Sequence, residues 1–270
     1  MKITILVENT THDKELIVLH GLSLFVKTKK HNILIDTGDK DAFYLNAKKL
    51  NIDISDIDIL IITHGHNDHG GGLECFLKHN KKAKIFIQKP AFENYFAIVS
   101  DSKKYIGLDK NLISDRFVLI EGNYRINEQI YLLNKVDISF DMPSFNSYLF
   151  KEKNNSLALD DFLHEQSVII EEDEKALLVG GCAHAGILNI ISASKKIVKK
   201  IDLCVSGFHL YNPGLNLTDE KAIPKLTENL KSFDGKIYTC HCTGVKAFEK
   251  LKECLNDKID YLATGKTIVL

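Results

Sequence analysis

Apolar residues along this chain fall into short runs broken by polar turns, and their spacing switches between two periods. Positions 3–7, 23–27 and 31–36 read as short β-strands, the last closed by the turn Asp36-Thr37-Gly38-Asp39. Positions 41–50 change to helical spacing, with Phe43, Ala47 and Leu50 on one face. The run Ile57-Asp58-Ile59-Leu60-Ile61-Ile62-Thr63 is apolar and β-branched and stops abruptly at His64. A further strand is expected at 83–88, one helix-sized interval later. From about 90 to 166 the text changes: Phe92, Tyr95, Phe96, Tyr105, Phe117, Tyr131, Phe145 and Tyr148 stand among short β-like pieces and charged turns. This stretch predicts either an elaboration that covers a site or a second sheet whose aromatics are core. The last third returns to alternation, with strands expected at 167–170, 176–179, 203–206 and 236–240 and helices at 187–200 and 222–231. Pro224 falls early in the second helix, where its missing N–H is tolerated. There is no internal repeat, low-complexity tract or linker. The expected organisation is one α/β domain over 1–270, built from two halves, with the aromatic-rich elaboration at about 90–166.

Composition narrows the function classes. The chain has 270 residues, 44% of them hydrophobic, which is enough for a sizeable core. Lys plus Arg number 35 against 36 Asp plus Glu, so the chain lacks the basic surplus of a nucleic-acid binder. The opening Met1-Lys2-Ile3-Thr4-Ile5-Leu6-Val7 has no signal-peptide anatomy, and no apolar run approaches the ~20 residues that span a bilayer. The six cysteines, Cys75, Cys182, Cys204, Cys240, Cys242 and Cys254, are scattered and do not outline a disulfide framework. The expectation is a soluble, cytoplasmic, reduced protein that acts on a small molecule, with neither nucleic acid nor membrane as partner.

The chemistry concentrates in Thr63-His64-Gly65-His66-Asn67-Asp68-His69-Gly70-Gly71-Gly72. Three histidines and a carboxylate follow an apolar strand directly, and these side chains suit zinc, iron or manganese. Alternating residues of a loop can point one way, so His64 and His66 can reach one metal while Asp68 and His69 face a second. The glycines let the backbone turn sharply around them.

The order His-x-His-x-Asp-His resembles the signature of the metallo-β-lactamase superfamily, and that resemblance implies a four-layer αββα sandwich. Ile33-Leu34-Ile35-Asp36-Thr37-Gly38 is similar to a segment that precedes the signature in that superfamily. By that likeness Asp36 stands behind the metal ligands, the alternative being a plain turn residue. A narrower likeness lies in His20-Gly21-Leu22-Ser23, in Gly180-Gly181-Cys182-Ala183-His184-Ala185-Gly186-Ile187, in Ser206-Gly207-Phe208-His209-Leu210 and in His241-Cys242-Thr243-Gly244. These resemble a branch that includes an archaeal dihydropterin–aminobenzene ribofuranosyl phosphate synthase and bacterial metal-dependent hydrolases. The resemblance implies His64, His66 and His184 around one metal and Asp68, His69 and His241 around another. It implies Zn²⁺ in one or both positions, with iron or manganese as alternatives. The chain departs from the superfamily where a Gly-Asp pair would supply a bridging carboxylate; it has Gly180-Gly181-Cys182 instead, and Cys182 is either a thiolate ligand or an inert thiol. His164 competes with His184 for the third position. His209 lies outside the ligand set and is expected to contact substrate, to transfer a proton, or to be structural. Cys240 and Cys242 are assigned nothing.

A metal centre of this kind suits hydrolysis of a small ester, thioester, lactone or phosphoester, with Asp68 and His209 as catalytic residues. The alternatives are a transferase that joins a dihydropterin methyl diphosphate to an aminobenzene ribofuranosyl phosphate, and a non-enzymatic metal-binding protein.

Overall fold

In the first third of the chain, successive side chains of each strand face two different cores. Ile33 and Ile35 point into one core and Leu34 into the other; Ile59 and Ile61 repeat this against Leu60 and Ile62. Both faces of these strands are covered, which is why they read as unbroken apolar runs and not as alternation. The computed structural model describes residues 1–99 and 102–270.

One seven-stranded sheet runs in the order Thr267–Val269, Lys2–Val7, Ser23–Lys27, Asn32–Ile35, Ile59–Ile61, Lys84–Gln88, Phe117–Ile120. A second runs Ile259–Tyr261, Lys236–Thr239, Leu203–Ser206, Lys175–Val179, Ser167–Glu172, Ile130–Leu133, Tyr124–Arg125. The sheets pack face to face, Ile3, Ile5, Val26 and Ile35 sharing a core with Val168, Ile170, Leu177 and Val205. Helices Ala42–Lys49 and Leu73–His79 cover the outer face of the first sheet through Phe43, Ala47, Leu73 and Phe76. Helices Ile187–Ser194, Ile223–Leu230 and Val245–Leu255 cover the second through Ile187, Ile190, Leu230 and Leu251. The result is the four-layer αββα sandwich.

Several expected boundaries shift. The helix expected over 187–200 ends at Ser194. Beyond it the chain bends so that Val198 and Ile201 enter the core while Lys195, Lys196, Lys199 and Lys200 stay in solvent. The stretch 90–166 divides three ways. Phe117–Ile120 extends the first sheet, Tyr124–Arg125 and Ile130–Leu133 extend the second, and Tyr95–Val99, Ser102–Tyr105, Leu149–Lys153 and Ser156–Leu159 form a separate four-stranded sheet.

The pairing pattern locates the site. Asn32–Ile35, Ile59–Ile61 and Lys84–Gln88 are parallel neighbours, as are Lys175–Val179, Leu203–Ser206 and Lys236–Thr239. Parallel strands deliver their C-terminal ends to one edge, where α/β proteins characteristically bind ligands. Asp36, His64, Cys182, His184, His209 and His241 all follow such ends.

Candidate metal centre

Asp36 ends its strand in a left-handed conformation (φ 60°) that turns its carboxylate inward. Asp36 Oδ1 accepts the backbone N–H of Thr63 at 2.7 Å, and Oδ2 accepts the Thr63 hydroxyl at 2.7 Å. Oδ2 also lies 2.6 Å from His69 Nδ1. The Thr63 hydroxyl hydrogen is engaged with Asp36, so its oxygen accepts from His64 Nδ1 at 3.0 Å. One buried carboxylate thus fixes His69 directly and His64 through Thr63, and both rings present Nε2 forward. His64 and His66 lie on the loop, whereas Asp68 and His69 ride on a single helical turn, Asn67–Gly70.

The side chains named from the sequence converge in two groups. His64, His66 and His184 are all buried, and ligand-capable atoms of the three lie within 4.8 Å of one another. The Nε2 atom of each has no hydrogen-bond partner. Beside them, Asp68 Oδ2 lies 3.3 Å from His241 Nε2 and 3.8 Å from His69 Nε2, and those two nitrogens are 3.2 Å apart. Burial, reinforced by neighbouring imidazoles, drives the proton affinity of His64 and His184 far down. Burial also lowers that of His66, against the pull of Asp160. Burial works against Asp68 as a carboxylate, yet His69, His241 and His20 around it hold it well below the usual range. Burial likewise opposes a charged His241, but the Asp68 carboxylate beside it lifts that imidazole to about 9. His64, His66 and His184 are thus neutral imidazoles and Asp68 an anionic carboxylate, the forms that metal ligation uses, whereas His241 would have to give up the proton that Asp68 draws to it.

His164 sits differently. Its Nδ1 accepts the N–H of Gly65 at 2.9 Å, so Nε2 carries the proton and faces Asp160 at 3.0 Å. Both ring nitrogens are engaged with protein, unlike those of His184. Cys182 Sγ stands 3.2 Å from His69 Nε2. His209 adopts φ 47° and donates its backbone N–H to Cys242 Sγ at 3.3 Å; both of its ring nitrogens are buried without partners. Its ring lies 4.4 Å from that of His184, centroid to centroid.

Part of this cluster forms the floor of a cavity of about 630 Å³. His66, Asp68, His184, His209 and His241 line the bottom; Ala97, Val99, Ile106, Phe145 and Tyr148 supply apolar wall, with Lys104 as its cationic side chain among the described residues. His20, 3.4 Å from Asp68 Oδ2, also lines it. Its place in the quoted His20-Gly21 motif was the one signal that could have assigned it a role. Glu8, Asn9, Asn146, Asp160 and Glu165 contact the ligand-bearing loops and carry no recognisable pattern in the sequence. The cysteines are all free thiols, and no helix among the described residues is long and apolar enough to cross a membrane.

The family model of the Metallo-beta-lactamase superfamily matches residues 16–191. The chain is similar to the 7,8-dihydropterin-6-methyl-4-(beta-D-ribofuranosyl)-aminobenzene-5'-phosphate synthase of Methanocaldococcus jannaschii, 31% identical over 268 residues, covering 92% of this chain and 89% of that protein. A second, uncharacterised protein of that organism is 28% identical over 98% of this chain and 99% of its own length. Among solved structures, Tm1679, a metal-dependent hydrolase of the beta-lactamase superfamily, superposes with a TM-score of 0.84 at 26% identity, covering 100% of this chain and 99% of that one. Zn(2+)-bound PqqB from Methylobacterium extorquens shares the fold, with a TM-score of 0.60 at 11% identity over the whole of both chains.

Proposed function

The chain belongs to the metallo-β-lactamase superfamily, and from that premise we propose that it is a metal-dependent hydrolase of a small ester or phosphoester-type substrate. The support is the set of three buried imidazole nitrogens without a hydrogen-bond partner, two of them on residues that line an apolar-walled cavity, His66 and His184, and the third on His64 beside them. An unpaired buried polar atom is costly, and three aimed at one point fit a cation. His64, His66 and His184 would hold one metal, and Asp68, His69 and His241 a second. This all-imidazole and carboxylate set suits Zn²⁺, with iron or manganese as alternatives. When bound, the metals supply Lewis acidity and lower the pKa of water towards neutrality.

The chain's own residues do the rest. Asp68 orients the attacking nucleophile, and Asp36 keeps His69 and His64 aimed. His209, with free ring nitrogens beside the ligand group, holds the proton that the leaving group takes. The apolar wall excludes bulk water from the reacting atoms. A small molecule, not nucleic acid, is the substrate, in keeping with the near-neutral charge.

Protein purified without chelator should carry between one and two transition-metal ions per chain, and His64→Ala with His66→Ala should remove one of them. Elemental analysis that finds no metal after reconstitution, or the same metal in the double variant, rejects the reading. The identity to the synthase favours a second reading, a transferase joining a dihydropterin methyl diphosphate to an aminobenzene ribofuranosyl phosphate. A panel of phosphoesters, lactones and a pterin diphosphate separates the two. Tight metal retention with no turnover on any of them would instead leave a non-enzymatic metal-binding protein.

A further inference from the structure

His184 follows the strand Lys175–Val179 and His241 follows Lys236–Thr239, and each is gripped by one asparagine and one glutamate. At His184, Asn146 Nδ2 donates to the backbone carbonyl at 2.8 Å, and Asn146 Oδ1 lies 3.0 Å from ring Nδ1. Glu165 Oε1 accepts the backbone N–H of His184 at 2.6 Å. At His241, Asn9 Nδ2 donates to the backbone carbonyl at 3.3 Å, and Asn9 Oδ1 lies 3.1 Å from ring Nδ1. Glu8 Oε1 accepts the backbone N–H of His241 at 2.7 Å. Both glutamates are buried. The same three contacts therefore recur at two unrelated places in the chain.

Their chemistry fixes the histidine tautomer. A carbonyl oxygen only accepts, so the asparagine must offer it the NH₂ group. That leaves Oδ1, itself only an acceptor, against Nδ1, and Nδ1 must carry the ring proton. Nε2 is then the nitrogen left to face the proposed metal in both rings. In His184 it is buried and unpartnered; in His241 it faces His69 and Asp68. The backbone also needs holding at both places. Ala183, just before His184, has φ 56°, and His241 itself has φ 51°, conformations that residues with a side chain seldom adopt.

We infer that Asn146 with Glu165, and Asn9 with Glu8, are matched positioning clamps, one for each metal. Each sets the tautomer and aim of the single histidine that the second half of the chain contributes to that metal. The inference rests on His184 and His241 being ligands of separate metals, as proposed above.

The test dialyses zinc-loaded protein against buffers of falling free zinc and records the two release midpoints. Asn146→Ala should weaken one step ~10–100-fold, the usual size for a residue behind a ligand. The other step should shift clearly less, adjacent groups being only partly coupled. Asn9→Ala should do the reverse. Both asparagines are only partly buried, so folding should survive, which far-ultraviolet circular dichroism checks. In the His64→Ala, His66→Ala background, Asn146→Ala should have no further effect while Asn9→Ala still weakens the remaining step. Glu165→Gln and Glu8→Gln should follow their asparagine partners. The inference is overturned if each asparagine variant weakens both steps alike, or if neither step moves. His184→Ala and His241→Ala distinguish the failures: unchanged release in these rejects the ligand reading itself, whereas loss of a step here with none in the asparagine variants rejects only the clamps.

Discussion

At the scale of single residues, the contrast between His184 and His164 is the sharpest. His184 offers a bare, buried Nε2 to the His64–His66 pair, while His164 spends both ring nitrogens on Gly65 and Asp160. Replacement of His184 by Ala should cost metal retention by at least the ~10–100-fold typical of residues behind a ligand, and His164→Ala should spare it. Inductively coupled plasma analysis of the two variants decides, and the opposite pattern would make His164 the ligand. His209 makes a separate forecast. His209→Gln should keep its metals and its melting temperature and lose ~10²–10⁴-fold in turnover, the range for a general acid or base. Metal loss in that variant would make it a ligand, and unchanged turnover would make it structural. The His64 to His69 cluster could be read from the chain because ligand types are dense there. Asn146 and Glu165 could not, because a lone asparagine in polar text acquires meaning only when topology brings His184 to it.

Among the elements, the strands were legible because two covered faces demand continuous apolar residues, and the runs at Ile33 and Ile57 show this plainly. Helix ends were less so: at Ser194 the lysines beyond continue a helical composition, but burial of Val198 and Ile201 turns the chain away. The roles of 90–166 were hidden because three different sheets recruit short strands from it, and pairing partners are not written in local sequence. The loop after Lys175–Val179 gives this scale its prediction. Gly181 has φ 57°, and a Cβ there would stand 2.6 Å from Thr63 Oγ1. Gly181→Ala should cost about 1–3 kcal/mol in backbone strain. It should also push Thr63 off Asp36, so metal affinity should fall along with stability. Denaturant titration and zinc release on one preparation check this; a variant as stable as the parent with unchanged metal would show that the loop yields freely.

For the whole molecule, both proposed ligand groups join residues of the first sheet's loops to residues of the second sheet's loops, so metal bound there would couple to the docking of the two sheets. Free metal at a thousandfold excess over its dissociation constant adds ~4 kcal/mol to stability. Chelation should therefore lower the thermal midpoint by several degrees, and added zinc should restore it. A midpoint indifferent to chelator would uncouple the centre from the fold. The same geometry bears on how the protein is made. The ribosome releases His64, His66, Asp68 and His69 together, but His241 only 172 residues after His69. A nascent chain can therefore display a half-formed set, open to whichever cation is abundant, long before either metal position is complete. The order of synthesis thus separates the cluster's first exposure to cations from the completion of either proposed metal position.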